Sequence, residues 1–311
     1  MQKKYYLSPY HYDEDTQMEI ARSQKEKKVD IKGNESAIIR TLATYRLLNK
    51  KCISILVNRM QPEERKKPNH DTEINNLFQG GYIKKYEYPS ATNGRGNIVL
   101  YALTDKGIEY ALNKQMRFPH KPLKDDKMYN TSTALEIAVL NSWHIRLVEC
   151  YKEYITTEIY ETPIRILEDK NSVLPSCITI KNEEWSLLKE VSVAAVPYCK
   201  EQTPQTEGVL INSIMAINVF FKNNKRVHKR PFIVVLVESF DQMEKASIMI
   251  HSYQIIQKLQ IYYALDEYVN DTNPLQWLYE VTRDSETGNT RYIMIDLTQK
   301  EKDAEGTNDG K

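Results

Sequence analysis

Apolar residues recur every three to four positions at Ile38, Ile39, Leu42, Tyr45 and Leu48, which sets one apolar stripe along a helix. Asn34-Glu35-Ser36 precedes the stripe, and Asn or Ser side chains can accept hydrogen bonds from the free first-turn N–H groups, so a helix start is predicted there. Lys50-Lys51 opens a second apolar run, Cys52 to Val57. It reads as a short buried helix, although its β-branched content also suits a strand. Gln61-Pro62 ends or kinks it, because proline lacks the N–H and restricts the residue before it. A basic loop, Arg65-Lys66-Lys67-Pro68-Asn69-His70-Asp71, leads into a third helix. Ile74, Leu77 and Phe78 are expected inside it, with Thr72, Glu73, Asn75, Asn76 and Gln79 outward. Gly80-Gly81 stops that helix, since glycine accepts the left-handed conformation. Alternation then predicts a strand over 82–88, turn formers fill Pro89 to Asn97, and Ile98 to Leu103 is a second strand. Thr104-Asp105 caps a closing helix through Ile108, Tyr110, Ala111 and Leu112.

Three helices, a hairpin and a closing helix follow the order of a winged helix-turn-helix. A three-helix unit this size has little core of its own, so the hairpin is expected to cover its open face. The third helix is then free to enter the major groove of duplex DNA, which is wide enough to admit a helix. Asn75, Asn76 and Gln79 carry amides that can pair bidentately with adenine, and Thr72 shares their face. Arg65, Lys66 and Lys67 in the loop, Lys84 on the first hairpin strand and Arg95 at the wing tip complete the predicted DNA-contacting set. From Glu35 to His120 there are 14 Lys and Arg against 8 Asp and Glu, a balance of +6 in a chain of net +1, so the remainder carries −5. Cations of this kind release counterions from phosphates and supply non-specific affinity. The balance is modest. Asp71 and Glu73 beside the third helix argue against a strongly non-specific binder and favour, as an alternative, a winged helix that contacts protein.

The run Leu77-Phe78-x-x-Gly81-Tyr82-Ile83, followed by Leu100-Tyr101-x-Leu103-Thr104-x-x-Gly107, resembles a signature of winged-helix proteins. That group includes the MarR- and PadR-like regulators and the replication-relaxation family of mobile elements. The resemblance implies a DNA-binding accessory or regulatory protein of a plasmid or integrated element, acting in replication, transfer or transcription control. The motif is fairly specific for the fold and weakly specific for the role.

At 311 residues, two domains are the natural expectation. The fold class expected is α+β: an N-terminal arm (1–34), the winged domain (35–116), a linker (117–131), an α/β domain (132–297) and a polar tail (298–311). The arm reads as mobile, with a DNA-tracking or subunit-tracking arm as the sharper version. Ser132 to Tyr154 predicts a long helix, read equally as a twofold pairing element of a homodimer and as the first helix of the second domain. Strands are expected over Ile155–Leu167, Cys177–Ile180, Leu187–Val193, Phe232–Val237 and Arg291–Leu297. Val209 to Phe221 is ambiguous, and Gln242 to Tyr263 reads as the clearest helix.

This second half is similar to that of the replication-relaxation family, which resembles a restriction-endonuclease-like core. Active members hold a divalent metal with an Asp on one strand and a Glu-x-Lys on the next. Here Glu238 takes the place of the acid, but Phe240 stands where the lysine belongs and no convincing first Asp precedes it. A degenerate core without catalytic or metal-binding residues is therefore expected, with a metal-dependent nuclease using Glu238 as the alternative. Gly94-x-Gly96 lacks the following helix and Lys-Ser/Thr of a phosphate loop, and His144, beside Trp143 on an apolar helix, reads as a packed core residue rather than a base. Cys52, Cys150, Cys177 and Cys199 lack metal-type spacing and read as reduced thiols of a cytoplasmic protein. Neither a cofactor nor a membrane span is expected, and the expected partners are double-stranded DNA and a second copy of the chain.

Overall fold

The computed structural model describes residues 19–23, 27–88, 98–119, 122, 131–167, 170–185, 189–198, 204–224, 231–253, 259–266, 273–284 and 289–298. Arm residues 1–18, the hairpin turn 89–97 with Arg95, most of the linker and the tail beyond 298 lie outside them. Helices and strands are both present, an α+β chain. No described helix is long and apolar enough to cross a membrane.

The first part follows the periodicity closely. Helix α1 (Gly33–Tyr45), α2 (Lys50–Arg59), a 3-10 turn (Glu63–Arg65) and α3 (Asp71–Gln79) precede strands β2 (Ile83–Tyr88) and β3 (Ile98–Leu103) and helix α4 (Asp105–Asn113). The run from Cys52 to Val57 is helical, capped by the Asn49 side chain, which accepts from the Cys52 N–H. The start of α1 differs from expectation: it begins at Gly33, and its N-cap Lys32 makes no side-chain cap hydrogen bond. The first 34 residues are not a free arm throughout. Strand β1 (Glu19–Ala21) pairs antiparallel with β2, aligning Ile20 with Tyr86, so β2 is the central strand of a three-stranded sheet with β1 and β3 at its edges.

The spacing Thr104-x-x-Gly107 has a clear physical basis. Thr104 Oγ1 accepts from the Gly107 N–H at 3.2 Å and donates to the Gly81 carbonyl at 2.5 Å, tying α4 to the end of α3. A Cβ on Gly107 would lie 2.1 Å from the Tyr82 carbonyl oxygen, so the first turn of α4 reaches the chain this closely only with glycine.

Helix α5 (Thr131–Cys150) follows, then β4 (Ile155–Leu167), β5 (Lys170–Lys181), β6 (Glu190–Pro197), α6 (Pro204–Asn223), β7 (Pro231–Val237), α7 (Phe240–Ser252), β8 (Gln260–Leu265), β9 (Leu278–Arg283) and β10 (Thr290–Ile295). The seven strands β4 to β10 form one sheet in sequence order, parallel at β6-β7-β8 and antiparallel at both ends. Helices α6 and α7 are the crossovers between the parallel strands. Both pack on the face carrying Cys177, Ala194, Val196, Ile233, Val235 and Leu265. Helix α5 covers the other face, against Ile178, Val193, Ala195, Phe232, Val234 and Leu236. Burial on both faces explains the unbroken apolar run of β7.

Two expectations change here. The helix read over Gln242–Tyr263 ends at Ser252, and Gln260–Leu265 is strand β8, buried between β7 and β9. Tyr262 and Tyr263 fall on opposite faces of the sheet, one in each core. The pairing face read for α5 is not open over Ala134–Val148. From Ala134 to Val148 the helix is buried nearly all round, with the N-terminal helices on one side and the sheet on the other. It therefore offers no open stripe to a twofold mate.

The seam between α5 and the first part is polar as well as apolar. The Asn141 side-chain amide donates to the Tyr45 and Leu47 carbonyls at 2.8 and 2.6 Å and accepts from the Tyr160 hydroxyl. Cys52 Sγ and Ser142 Oγ lie 3.7 Å apart. The Asn141 bonds satisfy carbonyls at the end of α1 that burial would otherwise leave without water. One continuous core thus runs from α1 through α5 to the sheet.

Candidate nucleic-acid interface

Helix α3 ends where the glycine pair predicts. Gly81 has φ 73°, the Tyr82 N–H donates to the Leu77 carbonyl at 3.0 Å, and the Gly81 N–H donates to the Phe78 carbonyl at 3.1 Å. This is a Schellman closure, which requires a left-handed residue at that point. Inward, Ile74 and Leu77 are fully buried. Outward, Thr72, Asn75 and Gln79 are exposed at positions i, i+3 and i+7, which align on one helix face. Three of the four predicted reading residues therefore share an open polar face.

The other predicted contacts divide. Asn76 is half-buried, and its amide is turned toward Glu35 Oε1 at 3.5 Å, off the open face. Lys84 is buried, with 1 % of its surface exposed, and its ammonium lies 5.9 Å from the Tyr86 ring centroid. It alternates with Tyr86 and Tyr88 on the buried side of β2 and cannot meet a phosphate from there. Lys66 is paired with Glu63, and Lys67 with Glu73 at 2.6 Å. Arg65 is exposed. It lines a cavity of about 310 Å³ between the loop and α1, together with Arg40, Asn34 and Gln61.

Glu73 is not on the open face. It is buried, accepting from Lys67 and from Asn34 Nδ2 at 3.1 Å. Burial alone would push its carboxyl up, but the Lys67, Asn34 and backbone hydrogen bonds outweigh it and hold the group at about 2. Asp71 is paired with Lys50 at 2.6 Å. Both acids that argued for a protein-contacting helix are thus matched by lysines of the same unit, and the polar face between them is neutral.

Lys27 is a residue the sequence reading left inside a mobile arm. Its backbone N–H donates to the Gln79 carbonyl at 2.8 Å and its ammonium donates to Gln79 Oε1 at 3.0 Å. A Cβ on Gly80 would lie 2.8 Å from Val29 Cγ2, so the arm passes tightly over the end of α3. The only sequence signal was the charge run Lys25-Glu26-Lys27-Lys28.

Residues weighed for chemistry lie elsewhere. Glu238 follows β7, and its backbone N–H donates to Gln242 Oε1 at 2.8 Å beside Ser239, the N-cap of α7. Among the described residues no three His, Cys, Asp or Glu side chains are grouped to hold a metal. His144 does have a serine partner, 32 residues away in sequence: Nδ1 lies 2.8 Å from Ser176 Oγ, and Nε2 lies 3.2 Å from Glu158 Oε1. Ser176 and His144 are buried beneath α2, whose Arg59 closes over Glu158 with two bonds of 3.2 and 2.8 Å. Tyr160 packs between Tyr45, tilted by 49°, and the edge of His144, with ring centroids 4.6 and 5.0 Å away. The chain Ser176–His144–Glu158–Arg59 joins the sheet to the helical unit, with Ser176 and His144 buried at its inner end and Glu158 and Arg59 reaching the surface.

Comparison with known protein families, curated proteins and solved structures returned no match for this chain.

Proposed function

We propose that the chain is a non-enzymatic duplex-DNA-binding protein of accessory or regulatory type, reading DNA with α3 in a winged helix-turn-helix arrangement. The observation that carries this is the open neutral face of Thr72, Asn75 and Gln79, flanked by the Asp71–Lys50 and Glu73–Lys67 pairs. Amides on an exposed helix can enter the major groove and pair with base edges, while unmatched carboxylates there would be repelled by phosphate. The order of helix, antiparallel strands, helix and central strand in the second half supports its resemblance to a degenerate restriction-endonuclease-like core. In this reading the sheet acts as a rigid base for the helical unit. In this reading, following the resemblance to replication-relaxation proteins, the activity belongs to replication, transfer or transcription control of a plasmid or integrated element. A homodimer would use a surface other than α5.

The test is selection from a random duplex pool, followed by anisotropy titration across salt. The full chain is expected to enrich a sequence subset and to lose affinity steeply as salt rises. Asn75→Ala with Gln79→Ala should remove the enrichment, costing about 1–3 kcal/mol per lost base contact, with random-duplex affinity changed little. Absence of duplex binding at low salt, or enrichment indifferent to both substitutions, would refute the reading.

A further inference from the structure

The loop Arg65-Lys66-Lys67 is expected to supply the positive charge beside α3, but Lys66 and Lys67 are paired with Glu63 and Glu73. Lys50 is held by Asp71, and Lys106 donates to the Gly80 carbonyl at 2.7 Å. Lys27 differs from all of these. Its exposed ammonium rests on a neutral acceptor, Gln79 Oε1, and no carboxylate among the described residues cancels its charge. Its position is fixed by the backbone bond to Gln79 and the contact of Val29 with Gly80. Upstream, the same segment pairs with β2.

We propose that Lys27 is a phosphodiester contact for duplex DNA at the C-terminal end of α3, with the Gln79 side chain as its partner in the free protein. The inference rests on the DNA-reading role given to α3 and names a contact outside the helical unit itself. A phosphate adds opposite-charge attraction and counterion release that the neutral Gln79 amide does not offer the ammonium, so an arriving phosphate displaces the amide. Gln79 is then released at the moment a base edge becomes available to it. Phosphate contact and base reading are coupled through this one hydrogen bond. The arm thereby acts as part of the reading surface.

The experiment uses the full chain, a labelled duplex and anisotropy titrations over a range of salt. Lys27→Gln keeps a polar side chain beside Gln79 and removes the charge. It is expected to lower the slope of log affinity against log salt by about 0.9, the value for one phosphate contact, and to weaken low-salt binding about three- to tenfold. Lys27→Arg should retain the wild-type slope, and Lys181→Gln, on β5, should leave slope and affinity unchanged. Far-UV circular dichroism and melting of Lys27→Gln should match wild type. If Lys27→Gln keeps the wild-type slope and affinity while Asn75→Ala still abolishes sequence enrichment, the Lys27 contact is overturned and the α3 reading stands. If the wild-type chain does not bind duplex at all, both fall together. If Lys27→Arg fails to restore the slope, the charge is not what matters and the inference is overturned.

Discussion

Trp143→Ala is expected to remove about 3–5 kcal/mol of unfolding free energy, the usual cost of deleting a large buried aromatic side chain. Trp143 is 1 % exposed in the middle of α5, and its indole Nε1 has no hydrogen-bond partner among the described residues, so its contribution there is packing rather than polar bonding. The helix lies between the α1–α2 layer and the sheet, and a cavity there loosens both at once. Urea unfolding followed by circular dichroism and by fluorescence of the remaining tryptophans, Trp185 and Trp277, should show one coincident transition at a lower midpoint. Two separated transitions, or a loss below about 1 kcal/mol, would show that α5 does not bind the halves into one unit.

Glu158→Ala is the second large effect. Arg59 donates to Glu158 with two nitrogens, and His144 with one, in a place where the carboxylate is only 25 % exposed. Removing the carboxylate leaves the guanidinium and the buried imidazole without their acceptor. A half-screened site of this kind should cost about 2–4 kcal/mol, somewhat below a fully buried pair. Burial alone would raise the Glu158 carboxyl, but the His144 and Arg59 bonds outweigh it and hold the group at about 2. The folded value thus lies below the unfolded one, near 4.3. Its contribution is therefore complete above about pH 4.5 and is lost as pH falls toward 2. The stability gap between wild type and Glu158→Ala should be constant near neutrality and should close through that acid window. A gap independent of pH down to 2.5 would remove Glu158 from the seam.

The elements legible in the sequence were those whose period is set by one buried face. Helices α1 to α4 each bury a stripe, and the Gly80-Gly81 pair and Thr104-x-x-Gly107 fix the chain locally, so neighbours a few residues apart carried the information. Strand β8 was hidden because Ile256, Leu259, Tyr262 and Tyr263 continue the helical spacing of α7 by coincidence. A strand buried on both faces has no alternation to betray it. The burial of Lys84 was written in the alternation that places it with Tyr86 and Tyr88, and charge alone suggested otherwise. The pairings Lys27–Gln79 and His144–Ser176 were not legible, because they join residues 52 and 32 positions apart through tertiary packing. The same holds for Lys67–Glu73 in part: the spacing was visible, but the burial of Glu73 against α1 was not.

Site-specific photo-crosslinking tests the central claim most directly. A photoreactive side chain placed at Asn75, on the open face of α3, should form adducts with duplex DNA at low salt. The same group at Ile248, exposed on α7 of the sheet, should not. Adducts from Ile248 and none from Asn75 would contradict the account and move the nucleic-acid contact to the other half of the molecule.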